Sequence, residues 1–286
     1  MNHNPGQLPA VVIPVFHEPR ELDGCLATVE ATVPPGAEVV IIDDASTDPA
    51  TDGVLRRWQS RARSGWRFLA NPRNLGFVAT ANRGMRETAG DVVLLNADTE
   101  VTQGWLQGLA RCLWSDDTIA TATPWTNNGE IASMPRFCEA NPPPADRAAL
   151  ESAWKQALAQ AGPARYPDIP TAVGFCMAIS RRALDRIGLF DEDLFGRGYG
   201  EENDLCMRAQ AVGMRNVLCD DVYVVHLGGR SFGPLGLKPG EDSMQRLLSR
   251  HPDYLSQVQA FIAADPLARR RQAIVDALER LGSGLG

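Results

Sequence analysis

Short apolar runs rich in β-branched residues alternate with amphipathic stretches through the first hundred residues. Residues 10–15 (Ala-Val-Val-Ile-Pro-Val) are the first such run and predict a buried strand. Residues 20–32 carry Leu22, Leu26 and Val29 near helical spacing, and Pro34-Pro35-Gly36 then breaks the chain. Residues 38–42 (Glu-Val-Val-Ile-Ile) predict a second strand, 50–63 a helix and 66–70 a third strand. A helix over 77–88 and a strand over 91–95 complete the series. Strands alternating with helices predict an α/β fold with a doubly wound, mostly parallel central sheet. In such sheets ligands bind beyond the carboxyl ends of the strands, where Asp43, Asp44 and Asp98 fall.

The pattern loosens afterwards. Residues 102–115 predict a helix, 121–135 read as irregular and polar, and 138–170 read as an insertion or lid with a helix near 146–161. A strand over 172–180, a short helix over 181–187, a loop over 188–200 and a helix over 201–212 follow. Residues 217–225 predict a strand ending at His226, and 228–234 a mobile loop. Residues 241–282 are mostly helical. The expected organisation is one main domain over 8–240, divided into two halves (8–101 and 102–240), with a helical extension over 241–286.

Composition changes this picture in two places. Net charge is −7 and hydrophobic residues make up 44% of 286, which supports a sizeable core and argues against nucleic-acid binding. The six cysteines lack Cys-x-x-Cys spacing, so they read as reduced core residues of a cytoplasmic protein rather than a zinc or redox motif. No segment reaches the roughly 18 apolar residues of a membrane span, and the first residues lack the basic start of a signal peptide. Leu247, Leu248, Val258, Phe261, Ile262 and the cluster Arg269-Arg270-Arg271 offer a surface for the inner face of a membrane or for a second subunit in a homodimer. Ordinary packing is the favoured reading of those helices.

Candidate chemistry gathers at loops. Phe16 could pack on a nucleotide base while Asp43 or Asp44 accepts from its N–H; the same acids could simply end a strand and cap a helix. The helix that follows Asn74-Leu-Gly-Phe77 could set its N-terminus against a diphosphate. Neither a Gly-x-Gly-x-x-Gly nor a P-loop pattern is present. Asn96-Ala-Asp98-Thr-Glu100 ends an apolar strand in acids, which suits Mg²⁺ or Mn²⁺ at a phosphate. Glu201, Glu202 and Asp204 open a helix, where acids also suit the helix dipole; one of them could deprotonate an acceptor hydroxyl. Asp204 and Arg208 are spaced for an ion pair. His226 could bind a metal through neutral imidazole. Asn127 and Asn128 lie in a loop that mixes amides with Trp125, as sugar sites do, though Asn-Gly also makes ordinary turns.

The ordered set resembles glycosyltransferase family 2, the inverting enzymes of GT-A fold. The resemblance rests on Val-Val-Ile-Pro-Val-Phe-His-Glu (11–18), Ile-Ile-Asp-Asp-Ala-Ser-Thr-Asp (41–48), Asn-Leu-Gly-Phe (74–77), Asn-Arg-Gly (82–84) and Gly-Asp-Val-Val-Leu-Leu-Asn-Ala-Asp-Thr-Glu-Val (90–101). Further matches are Gly-Phe-Cys-Met-Ala-Ile-Ser-Arg-Arg-Ala (174–183), Gly-Leu-Phe-Asp-Glu (188–192), Glu-Glu-Asn-Asp-Leu-Cys-Met-Arg-Ala (201–209) and His226. The resemblance is strongest to the bacterial branch that builds O-antigen, exopolysaccharide or protein glycans, which implies donors such as dTDP-rhamnose. It implies nucleotide-sugar contacts from Pro14, Phe16, Glu18, Asp43, Asp44, Asn74, Gly76, Phe77, Asn82, Asn96, Ala97 and Asp98. It implies Mn²⁺ or Mg²⁺ on Asp98 and His226, with Asn96 replacing the first acid of the family's Asp-x-Asp. Glu202 is the expected base, with Glu201 and Asp204 as rivals. Gly174, Phe175 and Cys176, with Asn127 and Asn128, are expected to line the site of a glycan, lipid-linked or protein acceptor. A nucleotidyltransferase and a non-catalytic sugar-binding module are the alternatives.

Overall fold

The computed structural model describes residues 8–228 and 241–285. The strands are β1 (Ala10–Val15), β2 (Val39–Asp43), β3 (Trp66–Ala70), β4 (Val92–Leu95), β5 (Thr99–Val101), β6 (Ile119–Thr126), β7 (Cys176–Ile179) and β8 (Arg215–His226). They form one sheet in the order β3-β2-β1-β4-β7-β6-β8-β5. β3, β2, β1 and β4 run parallel. β7 is antiparallel to both β4 and β6, β6 and β8 are parallel, and β5 lies antiparallel on β8. The sheet is thus mostly parallel, with its antiparallel pairs confined to the second half.

The helices are α1 (Pro19–Thr32), α2 (Pro49–Ser60), α3 (Phe77–Arg86), α4 (Trp105–Trp114), α5 (Arg147–Ala161), α6 (Arg181–Ile187) and α7 (Glu192–Phe195). They continue with α8 (Glu201–Ala211), α9 (Glu241–Arg250), α10 (Tyr254–Ala264) and α11 (Ala268–Arg280). They cover both faces of the sheet, which is why its central strands read as unbroken apolar runs. Val11, Ile13, Val39, Ile41 and Val93 pack on one face with α1, α2, α4, α5 and α11. Val12, Val40, Ile42, Val92 and Leu94 pack on the other with α3, α6, α8 and α9. The packing of α3 on β1 is close: a Cβ added at Gly84 would stand 2.1 Å from Val12 Cγ1.

The second half departs from the sequence reading in several places. Residues 121–126, part of the stretch 121–135 expected to be irregular, belong to the fully buried β6. Thr121 and Thr123 are β-branched and their hydroxyls are answered from elsewhere in the chain: Thr121 donates to Asn216 Oδ1 of β8 at 2.9 Å and Thr123 accepts from Val173 N, ahead of β7, at 3.3 Å. Pro124 sits where the register to β8 shifts, a position at which a missing N–H is tolerated. The expected lid over 138–170 is a packed layer, because Leu150, Ala153 and Ala157 of α5 are buried and α11 packs along it. Trp154 of α5 donates to Asp221 O at 3.1 Å. Within the expected loop 188–200 lies α7, capped by Asp191 onto Leu194 N. The Arg269–Arg271 cluster is not a free basic patch. Arg270 pairs with buried Asp220 at 2.9 Å, and Arg271 pairs with Asp265 and lies over Phe137. All six cysteines are free; five are buried, but Cys138 is exposed, against the expectation of six core residues. No helix among the described residues is long and apolar enough to cross a membrane. The loop expected over 228–234 lies, beyond Gly228, outside the described residues.

Candidate active site

The site lies along the carboxyl ends of β1, β2 and β4, continued by the start of β7 and the end of β8. Its first wall is the β1–β2 edge. Parallel pairing sets Val15 beside Asp43, so the turns after the two strands emerge together. Both turns hold non-glycine residues in the left-handed region: His17 at φ 62, Glu18 at φ 56 and Ala45 at φ 57. Such backbone costs about 1–2 kcal/mol per residue, and its clustering at a strand end is typical of ligand sites. Pro14, Phe16 and Glu18 are half-buried there, and the Phe16 ring meets His17 edge-on at 4.0 Å. His17 N donates to Ser46 Oγ at 3.0 Å, tying the turns to each other. Asp43 accepts from Ser46 N at 3.0 Å.

Asp44 turns inward and is buried. One oxygen accepts from Asn71 Nδ2 at 2.7 Å and Leu75 N at 2.8 Å, the other from Gly76 N at 2.8 Å. Asn71 donates on to Thr80 and accepts from Arg83. Asp44 therefore shapes the 71–76 loop. Two amides at the opening of α3 are already answered, Gly76 N by Asp44 and Phe77 N by Arg197 O at 3.2 Å. The diphosphate expected at this helix start finds Gly76 and Phe77 amides engaged. Asn74 pairs with the Arg197 side chain. Asn82 is fully buried and its amide is fixed by Phe190 N, Phe190 O and Glu192 Oε1, so it braces the fold rather than facing a nucleotide.

The second wall is the turn between β4 and β5. Asn96 and Ala97 are half-buried and Asp98 is buried. Asn96 N donates to Phe175 O at 2.9 Å and Leu227 N donates to Asp98 O at 3.0 Å, which seats the turn between β7 and β8. Asp98 Oδ1 has no hydrogen-bond partner and faces His226 Nε2 at 3.5 Å. His226 Nδ1 lies 2.5 Å from Asn128 O; the carbonyl can only accept, so Nδ1 carries the proton and the Nε2 lone pair points at Asp98. Two lone pairs at that separation need a cation between them. Burial lowers the His226 pKa, yet Asp98 outweighs it and the net shift is upward. A proton or a divalent metal would satisfy the pair, and one carboxylate with one imidazole suits Mn²⁺ or Mg²⁺. Among the described residues no group of three His, Cys, Asp or Glu side chains forms a fuller cage. Glu100 is committed to Arg147, so further ligands would come from substrate oxygens and water.

Asn127 was not expected in the role it fills. It is buried and brackets the backbone of His226, accepting from His226 N at 2.9 Å and donating to His226 O at 3.0 Å. Its remaining donor goes to Asn141 O, which leaves nothing for an acceptor. Asn128 is half-buried and holds His226 only through its carbonyl.

The third wall is the start of α8. Glu201 is buried and Glu202 half-buried, and each has one oxygen with no partner. Burial pushes the Glu201 carboxyl well above the usual range, and repulsion from Glu202 adds to it. Glu202 is raised by burial and then by the nearby charge of Glu130. Asp204 differs from both. It is fully buried, and its oxygens are held by Arg208 at 2.7 Å, His251 at 2.9 Å and Arg250 at 3.0 Å.

Two adjacent residues join the walls. A Cβ at Gly174 would lie 3.8 Å from Glu202 Oε1, and the Phe175 ring stacks on His226 at 5.2 Å. Phe175 itself is buried, and Cys176 is sealed inside β7, so Gly174 is the half-buried member of that trio. Sequence patterns pointed to Asp98, His226 and the Glu pair and set Asn127 at the acceptor, but gave no sign of the tie from Asn127 to His226 or of Glu130, Arg250 and His251, whose contacts depend on distant partners.

The model of the family described as glycosyl transferase family 2 matches residues 10–188. The chain is 27% identical over 282 residues to validoxylamine A glucosyltransferase of Streptomyces hygroscopicus subsp. limoneus, covering 87% of this chain and 58% of that relative. The chain thus spans little more than half of that protein. Among solved structures it is similar to GalNAc-T7 with UDP, GalNAc and Mn²⁺ (TM-score 0.64, 17% identity, 98% of this chain and 56% of that one). It is also similar to the mannosyltransferase PcManGT from Pyrobaculum calidifontis with GDP-Man and Mn²⁺ (TM-score 0.57, 17% identity, 99% and 78%). At these identities the likeness speaks for the fold.

Proposed function

The chain belongs to glycosyl transferase family 2, and on that footing we propose that it is a metal-dependent, inverting hexosyltransferase using a nucleoside-diphosphate sugar. The observation that carries this reading is the bridge at 174–175, with Gly174 beside Glu202 and Phe175 against His226. It sets a raised carboxyl pair and a cation-seeking Asp98–His226 pair around one opening. The acceptor is a hydroxyl of a glycan, a lipid-linked sugar or a protein.

Each residue then has a defined task. Phe16, Glu18 and Asp43 line the base end of the donor, while Asp44 sets the shape of the loop beside it. Asp98 and His226 would hold Mn²⁺ or Mg²⁺, which when bound neutralises charge on a leaving diphosphate. Glu202 is the base because it reaches the opening beside Gly174, whereas Glu201 is buried and Asp204 is bound by three cationic or imidazole groups. Glu202 takes the acceptor hydroxyl proton as that oxygen bonds to the anomeric carbon. The bond to the diphosphate breaks with its electron pair leaving on the phosphate oxygen. A single displacement inverts the anomeric centre. The raised pKa of Glu202 brings it toward the working pH, where a base is most effective. Six free cysteines suit a reducing cytoplasmic setting.

The test is to incubate the protein with Mn²⁺ and UDP-glucose, UDP-N-acetylglucosamine, GDP-mannose or dTDP-rhamnose, with glycan acceptors. Release of nucleoside diphosphate from one donor, lost in Asp98→Ala together with Mn²⁺ binding, is the expected result. Release of pyrophosphate would identify a nucleotidyltransferase. Donor binding with no release across the panel would identify a sugar-binding module.

A further inference from the structure

Arg250 grips two carboxylates that lie far from it in sequence. Its Nη2 stands 2.7 Å from Asp191 Oδ2 and its Nη1 stands 3.0 Å from Asp204 Oδ1. His251 Nε2 adds a contact to the same Asp204 oxygen at 2.9 Å. One turn earlier in α9, Arg246 donates to Leu194 O at 2.9 Å. The turn that ends α9 therefore holds both ends of the stretch 191–204.

That stretch contains the loop 196–200 and the first turn of α8, with Glu201 and Glu202. The loop is poorly held by its own sequence. Gly196, Gly198, Tyr199 and Gly200 all have positive φ, at 56°, 139°, 77° and 99°. Three glycines in five residues carry a large ordering entropy. The loop nevertheless links the start of α3 to the turn that carries the carboxyl pair. Arg197 O receives Phe77 N at 3.2 Å and the Arg197 side chain pairs with Asn74. Glu202 follows four residues after Gly198. Asp204 lies three residues after Glu201, so the two share a face of α8 one turn apart. A tie at Asp204 consequently fixes the turn that carries the carboxyl pair.

We propose that Arg250, seconded by His251, is a positioning residue that staples the segment 191–204 and so sets where Glu202 meets the acceptor. The proposal rests on the reading of Glu202 as the base. Ion pairs that include a buried carboxylate are weak evidence for stability but a recognised source of geometric definition. Removing Arg250 leaves Asp204 paired with Arg208 and His251, so the fold survives the change while the tie to Asp191 is lost. Lysine keeps one contact but lacks the fork that spans two carboxylates.

The experiment compares the full-length wild type with Arg250→Gln and Arg250→Lys by amide hydrogen exchange and by steady-state release of nucleoside diphosphate. The donor is UDP-glucose with Mn²⁺, or whichever nucleotide sugar of the panel above is turned over. In Arg250→Gln, exchange over 196–202 should rise about tenfold, as local opening becomes easier. Turnover should fall about tenfold to a hundredfold, with donor KM within about threefold, since the loss is one of alignment. Arg250→Lys should recover part of both. Unchanged exchange over 196–202 overturns the staple, as does a turnover loss accompanied by an equal rise in exchange across the whole chain. Glu202→Gln is measured alongside: if it turns over normally, the base assignment fails, and the exchange result still judges the staple separately.

Discussion

Asp44, just after β2, and the Glu201–Glu202 pair, in the first turn of α8, are buried or half-buried carboxylates, and they are treated in opposite ways. Asp44 receives three N–H donors from Asn71, Leu75 and Gly76. The Glu pair leaves an oxygen of each side chain unanswered and sets two like charges side by side. A buried carboxylate that is fully hydrogen-bonded shapes a loop; one left unsatisfied is held ready for a proton. Burial alone therefore does not mark the reactive acid. Under the proposed function, the number of donors pointed at each is what separates Glu202 from Asp44.

This contrast can be broken by mutation. Glu202→Gln should cut transfer by about 10²–10⁴-fold while leaving the melting temperature unchanged or higher, because general-base catalysis is lost and a strained charge is removed. Transfer and melting are read on the same preparation, and normal transfer would end the distinction. Asp44→Ala should do the reverse. It strands three donors and should cost about 2–4 kcal/mol of stability in denaturant unfolding. A loss below about 0.5 kcal/mol, the ordinary surface range, would show that Asp44 does not hold the loop.

Asn127→Ala probes an intermediate case, since Asn127 reaches His226 only through its backbone. Loss of an outer support of this kind should weaken Mn²⁺ binding about 10–100-fold, measured by titration calorimetry, with the fold intact by circular dichroism. The smallest effect concerns pH. Glu201 and Glu202 have folded pKa values above their unfolded ones. Their contribution to stability is therefore fully present below the unfolded value of about 4.3, and it is lost as pH rises through the raised folded values. Glu201→Gln removes one titrating group, so its melting temperature should gain on wild type as pH rises above that point. Parallel melting curves across pH would refute the shift.

The two halves of the sheet were not equally readable from sequence. β1 and β3 fall where their apolar runs predict them, at 10–15 and 66–70, because strands covered on both faces need no polar alternation. β6 escaped because Thr121, Thr123 and Pro124 look like loop residues. Asn216 and Val173 answer their hydroxyls and the proline stands at a register shift, and neither compensation is local. The candidate site divides in the same way. Asp98, Glu202 and His226 stand at element ends that a motif can mark. Asn127 meets His226 across 99 residues, and Arg250 meets Asp191 across 59; no periodicity carries such pairings. Asn82 is the converse case, in a matched motif yet consumed by Phe190 and Glu192.

Gly174 has a practical consequence for redesign. Its backbone does not fall in the left-handed region, and an added methyl would meet Glu202 at an ordinary contact distance of 3.8 Å. The fold does not demand glycine there. Under the proposed function, the space beside Glu202 is thus a tunable dimension, and a graded series from alanine to valine at this one position would act as a ruler for the bulk of the incoming alcohol.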